Sequence, residues 1–188
     1  EQIIIPTIEG LKKENIIYKG FIFVGLIKIG DNPFVIEYNC RMGDPETEVV
    51  MPRLKSDILD LFEGIATQTL DKKKIEIDER TAVTVMLVSG GYPGDYEKGR
   101  EIFGLDDVAK MKDVVVFHAG TKIQRTENRG QRTEKKYITN GGRVLGVTGL
   151  GNTIKEAIDK TYQAVEKINF EGMHYRKDIG QKAIKIKS

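Results

Sequence analysis

Three polar side chains on one short, otherwise apolar segment have the types and spacing for metal and phosphate chemistry. Glu37 and Asn39 stand two positions apart, and Arg41 follows after two more. Alternate side chains of a β-strand share a face, so the spacing predicts that these groups point the same way. Carboxylate and amide oxygens suit Mg²⁺ and Mn²⁺, and a guanidinium offers a planar fork to phosphate. The pattern indicates metal and nucleotide chemistry; the alternative is a polar face that simply meets water.

The residues that alternate with these polar ones would form the opposite face of the strand. Phe34, Ile36, Tyr38 and Cys40 alternate with the polar set. We expect the strand to be buried on this side because its side chains are apolar. Cys40 would then act as a small hydrophobic residue of the core.

A helix start is predicted immediately after the strand. Asp44 has the type of an N-cap residue, Pro45 suits the first helical position, and Glu46 suits the first turn. Because a helix N-terminus favours anions, cation ligands, a guanidinium and free backbone N–H groups would meet within a short span. Helix capping alone explains Asp44 without any chemistry.

These residues resemble a known family. The segment EYNCRMGDPETE at positions 37–48 is similar to the metal-binding strand of the ATP-grasp ligases, in the form used by the phosphoribosylamine–glycine ligase family. Four later motifs are similar to the C-terminal part of that family, in the same order: SGGYPGDYEKG (89–99), FHAGTK (117–122), NGGRVLGVT (140–148) and FEGMHYRKDIG (170–180). The resemblance covers nearly the whole chain, and several ordered motifs are more specific than any single one.

The resemblance implies an α+β fold in two parts. Residues 1–75 would be the C-terminal half of an ATP-grasp domain, with antiparallel strands and helices. Residues 76–188 would be a small β-rich C-terminal domain with a packed helix. The chain begins at Glu1 and reads as a fragment without the first part of the enzyme, including the glycine-rich loop over the ATP phosphates. That missing N-terminal part would be its partner, and we expect little or no turnover by the chain alone.

The activity implied is that of an ATP-dependent carboxylate–amine ligase of purine biosynthesis. ATP would phosphorylate the glycine carboxylate, and the amine of 5-phosphoribosylamine would attack the acyl phosphate to give glycinamide ribonucleotide, ADP and phosphate. The cofactors would be ATP with Mg²⁺ or Mn²⁺. Such phosphoryl transfer depends on metal and cationic groups rather than on a covalent nucleophile.

Five residues of the first motif are candidates for the site, and the resemblance implies the role of the first two. Glu37 and Asn39 would coordinate a metal that bridges the ATP phosphates. Arg41 would be catalytic and cofactor-binding, holding a phosphate or the acyl phosphate, with a surface salt bridge as its alternative. Asp44 and Glu46 are weaker candidates for the amino group of glycine. Many ATP-grasp members carry another acidic ligand on the preceding strand, whereas residues 20–29 contain none.

Four residues of the later motifs are candidates for the ribosyl phosphate. Gly90 and Gly91 could form a backbone nest with Lys98 nearby, and a strand-ending turn explains these glycines equally well. Arg143 follows two glycines, so a hairpin turn and a phosphate ligand are both open for it.

Composition limits the alternatives. The 188 residues are 39% hydrophobic and 31% charged, with a net charge of +2, so no global field argues for nucleic acid or an anionic membrane. A single cysteine excludes an internal disulfide and favours the cytoplasm, and no apolar run approaches the length of a membrane span. His118 ends an apolar strand and His174 lies in an aromatic turn, so we expect both to be satisfied structural residues.

Periodicity and turn residues predict the elements of the first part. A helix is expected over residues 1–15. Its buried side would carry Ile4, Ile8 and Leu11. Strands at 20–29 and 34–41 would pair antiparallel around the turn between them. A second helix, capped by Ser56, would bury an apolar stripe.

The second part is predicted to contain short strands and a helix. Residues 82–88 are apolar on both faces and would form a central strand, with further strands at 114–117 and 144–148. The polar stretch 124–136 would be an exposed hairpin tip. The capping box of Thr153 and Glu156 opens the last helix, and the Lys-rich tail beyond it is expected to fray.

Two other functions are open at this point. Another ATP-grasp carboxylate–amine ligase with a different acceptor would share the first motif but not the later ones. A non-catalytic module that docks a partner or a phosphoribosyl ligand would fold in the same way and show no turnover.

Overall fold

The fold is that of a computed structural model, which describes residues 1–126 and 134–186. Antiparallel sheets and a few helices make it mixed α and β, and this confirms the predicted α+β class. The helices are α1 (Ile4–Lys13), α2 (Thr47–Val50), α3 (Ile58–Thr67), α4 (Leu105–Val108), α5 (Ile154–Val165) and α6 (Gln181–Ile186). The strands are β1 (Phe23–Ile29), β2 (Asn32–Asn39), β3 (Thr81–Val88), β4 (Val114–His118), β5 (Thr121–Thr126), β6 (Glu134–Thr139) and β7 (Arg143–Gly151).

The chain divides into two compact units. The first comprises Glu1–Thr47 and Leu54–Ile77, and the second comprises Glu48–Arg53 and Asp78–Ser188. The chain therefore enters the second unit immediately after the loop that follows β2, stays there for six residues and then returns.

In the first unit, β1 and β2 form the predicted antiparallel hairpin. Phe23 pairs with Asn39, and the register shifts between Gly25 and Leu26, which leaves Ile36 as an extra residue on β2. Such a bulge interrupts the simple alternation of side chains that the sequence predicts along this strand.

The helix α3 is capped by Asp57 and not by Ser56 as predicted. The Asp57 carboxylate accepts a hydrogen bond from the backbone N–H of Leu59 at 2.9 Å. The Ser56 hydroxyl accepts from the N–H of Glu76 and donates to the Lys74 carbonyl, so it ties the start of α3 to the segment after it.

Apolar side chains of the first unit are more exposed than predicted. α1 forms, yet none of its residues is buried, and none of β2 is buried either. The residues exposed against prediction are Ile4, Ile8, Phe34, Ile36, Tyr38 and Cys40. A two-stranded hairpin supplies no second layer of its own, so most of its side chains stay exposed, although the Tyr38 hydroxyl lies 2.9 Å from the Thr7 hydroxyl of α1.

The second unit is built on a three-stranded antiparallel sheet in the order β3–β7–β4. β7 is the central strand, and every residue of it after Arg143 is buried. Residues 82–88 were expected in the centre, but they belong to β3 at the edge. Val83, Val85 and Leu87 of β3 are buried alternately because α5 packs on that face.

The helix α5 starts at the predicted capping box. Thr153 accepts from the N–H of Glu156 at 3.1 Å, and the Glu156 carboxylate accepts from the N–H of Asn152 at 2.9 Å. In the middle of α5, the buried Thr161 hydroxyl accepts from the N–H of Gly149 at 3.0 Å. This bond satisfies a buried polar group at the contact between helix and sheet.

The remaining elements complete the second unit. Residues 181–186 of the tail predicted to fray form α6, because Ile184 packs against the buried cluster of Val83, Ala157 and Ile158. β5 and β6 pair as a hairpin, so the parts 124–126 and 134–136 of the predicted tip at 124–136 belong to strands, and its middle, 127–133, lies outside the described residues. Within the described ranges, no helix is long and apolar enough to cross a membrane.

Candidate functional site

The hairpin of the first unit brings Glu37 and Asn39 together on one face. The Asn39 side-chain amide donates a hydrogen bond to Oε1 of Glu37 at 3.0 Å. Glu37 lies opposite Gly25 of β1, and a Cβ at Gly25 would lie 2.9 Å from the Glu37 Cγ. The missing side chain of Gly25 therefore leaves the space in which the Glu37 side chain lies.

This pair fits a hard cation as a partial ligand set. Glu37 is exposed and Asn39 is half-buried, so their oxygens can reach a bound ion. Among the described residues there is no group of three or more His, Cys, Asp or Glu side chains that could hold a metal. Mg²⁺ commonly takes one or two carboxylates and completes its shell with water and substrate phosphates. The two oxygen donors match that mode of binding.

Arg41 lies beyond the end of β2 rather than on it. β2 ends at Asn39, so strand alternation does not extend to Arg41, and its position on the face of Glu37 stays a prediction. The guanidinium is exposed, and its Nη1 donates to the Met42 carbonyl at 2.9 Å. This local bond leaves most of the five N–H donors of an arginine side chain for an anion.

The predicted helix start at Asp44 is also wrong. Residues 44–46 form a turn, the peptide bond between Asp44 and Pro45 is cis, and α2 begins at Thr47 and is four residues long. The Thr47 N–H and hydroxyl both donate to the Gly43 carbonyl, and these bonds close the loop. A helix this short supplies no aligned N-terminus for an anion.

Glu46 lies against the backbone of the same loop. A Cβ at the buried Gly43 would lie 2.7 Å from Oε2 of Glu46 and 2.6 Å from the ring of Phe23. Gly43 is therefore required for the loop to approach β1 and for the Glu46 side chain to fold over it. Asp44 and Glu46 are both exposed.

Close backbone approach accounts for Gly90 and Gly91 in the second unit. Gly91 has φ +94°, and a Cβ there would collide with the Asp95 carbonyl. A Cβ at Gly90 would lie 2.8 Å from the Gly172 carbonyl. Both glycines are thus needed for the turn itself, and they are exposed, so their backbone can still reach a ligand.

Lys98 and Arg143 are exposed basic residues of the second unit. Lys98 Nζ lies 6.0 Å from the centre of the Tyr96 ring, the range of a cation–π contact. Arg143 opens β7 directly after Gly142, which is buried beneath the ring of Tyr92.

A small cavity beside Gly90 contains an arginine that the sequence did not single out. The cavity measures about 140 Å³, and its lining includes Arg100 with two carboxylates. Arg100 forms ion pairs with Glu97 and with Glu171, the latter at 2.7 Å. The hydrogen bond to Glu97, with both nearby carboxylates, raises the pKa of Arg100. In the sequence, only the three-residue spacing between Glu97 and Arg100 indicates this ion pair.

His118 is exposed, contrary to the expectation of a core histidine. Its Nδ1 lies 3.0 Å from the Thr121 hydroxyl, and its ring contacts Tyr137 with centres 4.8 Å apart. Partial burial of the ring lowers the pKa of His118. His174 is exposed too, and its backbone forms two hydrogen bonds with Val88, so it lies at the sheet edge.

Two family models match the chain in order. The model described as phosphoribosylglycinamide synthetase, ATP-grasp (A) domain, matches residues 1–47. The model described as phosphoribosylglycinamide synthetase, C domain, matches residues 82–182. The second match alone covers more than half of the chain.

The relatives that match most of the chain are described as phosphoribosylamine–glycine ligases. The phosphoribosylamine–glycine ligase of Escherichia coli K12 is 46% identical over 187 residues, which are 98% of this chain and 41% of that protein. The one of Caldanaerobacter subterraneus is 44% identical over 179 residues, 95% of this chain and 40% of that protein. The crystal structure of the Thermotoga maritima phosphoribosylamine–glycine ligase matches with TM-score 0.67 and 37% identity, covering 92% of this chain and 40% of that one. The chain thus spans about two fifths of the length of these relatives.

Proposed function

Because the chain belongs to the phosphoribosylglycinamide synthetase family, we propose that it forms part of an ATP-dependent ligase that joins glycine to 5-phosphoribosylamine. The carboxylate of glycine attacks the γ-phosphorus of ATP, and ADP leaves. The amine of 5-phosphoribosylamine then attacks the acyl carbon, and phosphate leaves with the oxygen that it took from glycine. Phosphorylation makes a poor electrophile reactive, so no nucleophilic side chain is required.

The two parts of the chain have separate places in this proposal. Residues 1–75 form the C-terminal half of the ATP-grasp domain, and residues 76–188 form the C-terminal domain. The order of the two family matches, 1–47 followed by 82–182, supports this division. The part of the ligase that the relatives have beyond this region supplies the rest of the nucleotide site, and the cytoplasm is where the reaction takes place.

Glu37 and Asn39 are the residues that would hold Mg²⁺ or Mn²⁺. The metal, when bound, neutralises charge on the ATP phosphates during transfer. The Glu37 carboxylate offers oxygens to the ion directly. Asn39 must turn its amide oxygen toward the same point, since its N–H now donates to Glu37. The single observation that carries the proposal is this oxygen pair within a segment that matches the ATP-grasp family model.

The remaining candidates bind the charged parts of the substrates. Arg41 holds a transferred or nucleotide phosphate with the donors of its guanidinium. Asp44 and Glu46, both exposed carboxylates of the following loop, attract the ammonium group of glycine.

The ribosyl phosphate has its own set of candidates in the second unit. The backbone of Gly90 and Gly91 and the cations of Lys98 and Arg143 would bind it. The exposure of all four residues supports this assignment.

ADP release by the complete ligase tests the proposal. The protein is supplied with Mg²⁺-ATP, glycine and freshly prepared 5-phosphoribosylamine, and each substrate is omitted in turn. Release that requires both substrates supports the proposal. Release with a different amine acceptor would change the substrate assignment, and no release from folded, ATP-binding protein would favour a binding module. The 188-residue chain alone should release little or no ADP, since it spans about 40% of its relatives.

A further inference from the structure

Glu48 lies in a polar socket on the sheet of the second unit. Its Oε2 accepts a hydrogen bond from the Thr84 hydroxyl at 3.0 Å, and its backbone carbonyl accepts from the Thr148 hydroxyl at 3.1 Å. Thr84 and Thr148 are directly paired between β3 and β7. Two hydroxyls of adjacent strands therefore hold one residue by both its side chain and its backbone.

Gly146 makes room for this carboxylate. It lies in the central strand β7 and is buried, and a Cβ there would collide with the carboxylate of Glu48. The other buried positions of β7 carry mainly valine, leucine and threonine. The absence of a side chain at Gly146 thus shapes the sheet to receive Glu48.

The socket lies on the sheet face that α5 does not cover. Val83, Val85 and Leu87 point toward α5, so Thr84 between them points the other way. The segment 48–53 is fixed at its far end as well, where the Asp78 N–H donates to the Arg53 carbonyl and Arg53 Nε donates to the Asp78 carbonyl. Six residues between β2 and α3 are therefore bound at both ends to the second unit.

Glu48 directly follows the loop that carries the candidate substrate residues. The loop starts where β2 ends, closes through Thr47 on the Gly43 carbonyl, and continues directly into Glu48. Thr47 is thus followed directly by Glu48, which the sheet of the second unit holds. We propose that Glu48 is a positioning residue, which fixes the loop carrying Arg41, Asp44 and Glu46 for glycine. This inference rests on the proposed function.

The test uses the complete ligase and separates position from folding. Glu48→Ala should lower kcat/KM for glycine roughly 10- to 100-fold, since displacement of reacting groups by about 1 Å has effects of that size. The KM for ATP should change little. Glu48→Gln, whose amide oxygen can accept from Thr84, should retain most of the activity. Gly146→Ala should reproduce the loss by displacing the carboxylate, and the double variant should be no worse than Glu48→Ala.

The outcomes distinguish this inference from the proposed function. Wild-type kinetics for Glu48→Ala, or equal losses for the alanine and glutamine variants, would overturn the positioning role alone. Absence of ADP release by the wild-type ligase would overturn the proposed function together with it. If Glu48→Ala does not fold, Thr84→Val, which removes only the donor, gives the same comparison.

Discussion

The side-chain amide of Asn39 donates to the carboxylate of Glu37 across 3.0 Å, so the two candidate metal ligands already share one face of the β1–β2 hairpin. Antiparallel pairing with β1 and the space above Gly25 hold Glu37 in this place. A cation that enters the site competes with the Asn39 N–H for the same oxygen. To serve as a second oxygen ligand, the Asn39 amide would have to turn and give up this hydrogen bond.

Replacing Glu37 by glutamine in the complete ligase should abolish most of the activity. We expect ADP release to fall about 100-fold, because the metal that neutralises the phosphate charge would be held less tightly and transition-state stabilisation of that size would be lost. Folding should be unchanged because the side chain is exposed, and excess Mg²⁺ should restore part of the rate. Steady-state ADP release across a range of Mg²⁺ concentrations measures this. Asp31→Asn in the turn of the same hairpin is the control, and an equal loss there would remove the special role of Glu37.

The activity should depend on the planar shape of the Arg41 side chain as well as on its charge. Arg41→Met removes both the charge and the fork, whereas Arg41→Lys keeps the charge without the bidentate donors. We expect a large loss of kcat for the methionine variant and an intermediate loss for the lysine variant. Saturation kinetics with ATP and glycine measure the two effects. Unchanged kinetics in both variants would return Arg41 to the class of surface residues.

Ionised Asp113 should stabilise the second unit, and this stabilisation should be lost at acid pH. It pairs with Arg80 at 2.7 Å and with Lys160 at 3.0 Å, and the Arg80 hydrogen bond, followed by that of Lys160, lowers the pKa of Asp113. A lowered pKa contributes stability above the ordinary pKa of an aspartate, and that contribution is lost as the pH falls through the lowered value. The midpoint of thermal unfolding of Asp113→Asn should therefore lie below that of the wild type at pH 7.

The unfolding midpoints of Asp113→Asn and the wild type, compared again at acid pH, show whether the effect is electrostatic. Below the ordinary aspartate range of about 4, the difference between Asp113→Asn and the wild type should shrink. A difference that stays constant with pH would exclude an electrostatic origin. Asp159→Asn is the matched control, because Asp159 is an exposed partner of Lys155 within one helix and should have little effect.

Adding one methyl group at Gly149 should destabilise the second unit. A Cβ there would lie 2.6 Å from the Thr161 hydroxyl and 2.9 Å from the Ala157 carbonyl, so α5 would have to move away from β7. We expect the free energy of unfolding to fall by about 1–3 kcal/mol, as is usual for overpacked cores. Denaturant unfolding measures it.

Gly10→Ala is the control for Gly149→Ala, because it adds the same methyl group at a position with open space. Nothing lies within 4 Å of a Cβ at Gly10, which is in the helix α1. Alanine there should stabilise the helix by about 0.5–1 kcal/mol. Equal effects of the two substitutions would mean that the close contact at Gly149 is not what limits packing.

Local signals in the sequence predicted the elements that depend on neighbouring residues. The capping box of Thr153 and Glu156 involves groups three residues apart, and α5 begins where it predicts. The turn before Asn32 joins adjacent strands, so the β1–β2 hairpin was predicted as well. The helix start predicted at Asp44 was wrong because Thr47 closes the loop on Gly43 and the helix begins only at Thr47.

Contacts between distant residues could not be read from the sequence. Glu48 bonds Thr84 and Thr148, which are 36 and 100 positions away, and its charge alone indicates a solvated residue. β3 and β7 are both apolar, so composition did not show that β7 would take the centre of the sheet. Exposure of the apolar hairpin in the first unit likewise depends on which layers pack beside it.

The most direct test of the central claim follows an oxygen atom. The complete ligase is given glycine labelled with ¹⁸O in its carboxylate, together with Mg²⁺-ATP and 5-phosphoribosylamine, and the inorganic phosphate is analysed by mass. Formation of an acyl phosphate transfers one carboxylate oxygen to phosphorus, and amine attack leaves it there. We predict phosphate that carries one ¹⁸O atom, in step with ADP release. Unlabelled phosphate, or no phosphate release that depends on both glycine and the amine, would contradict the account.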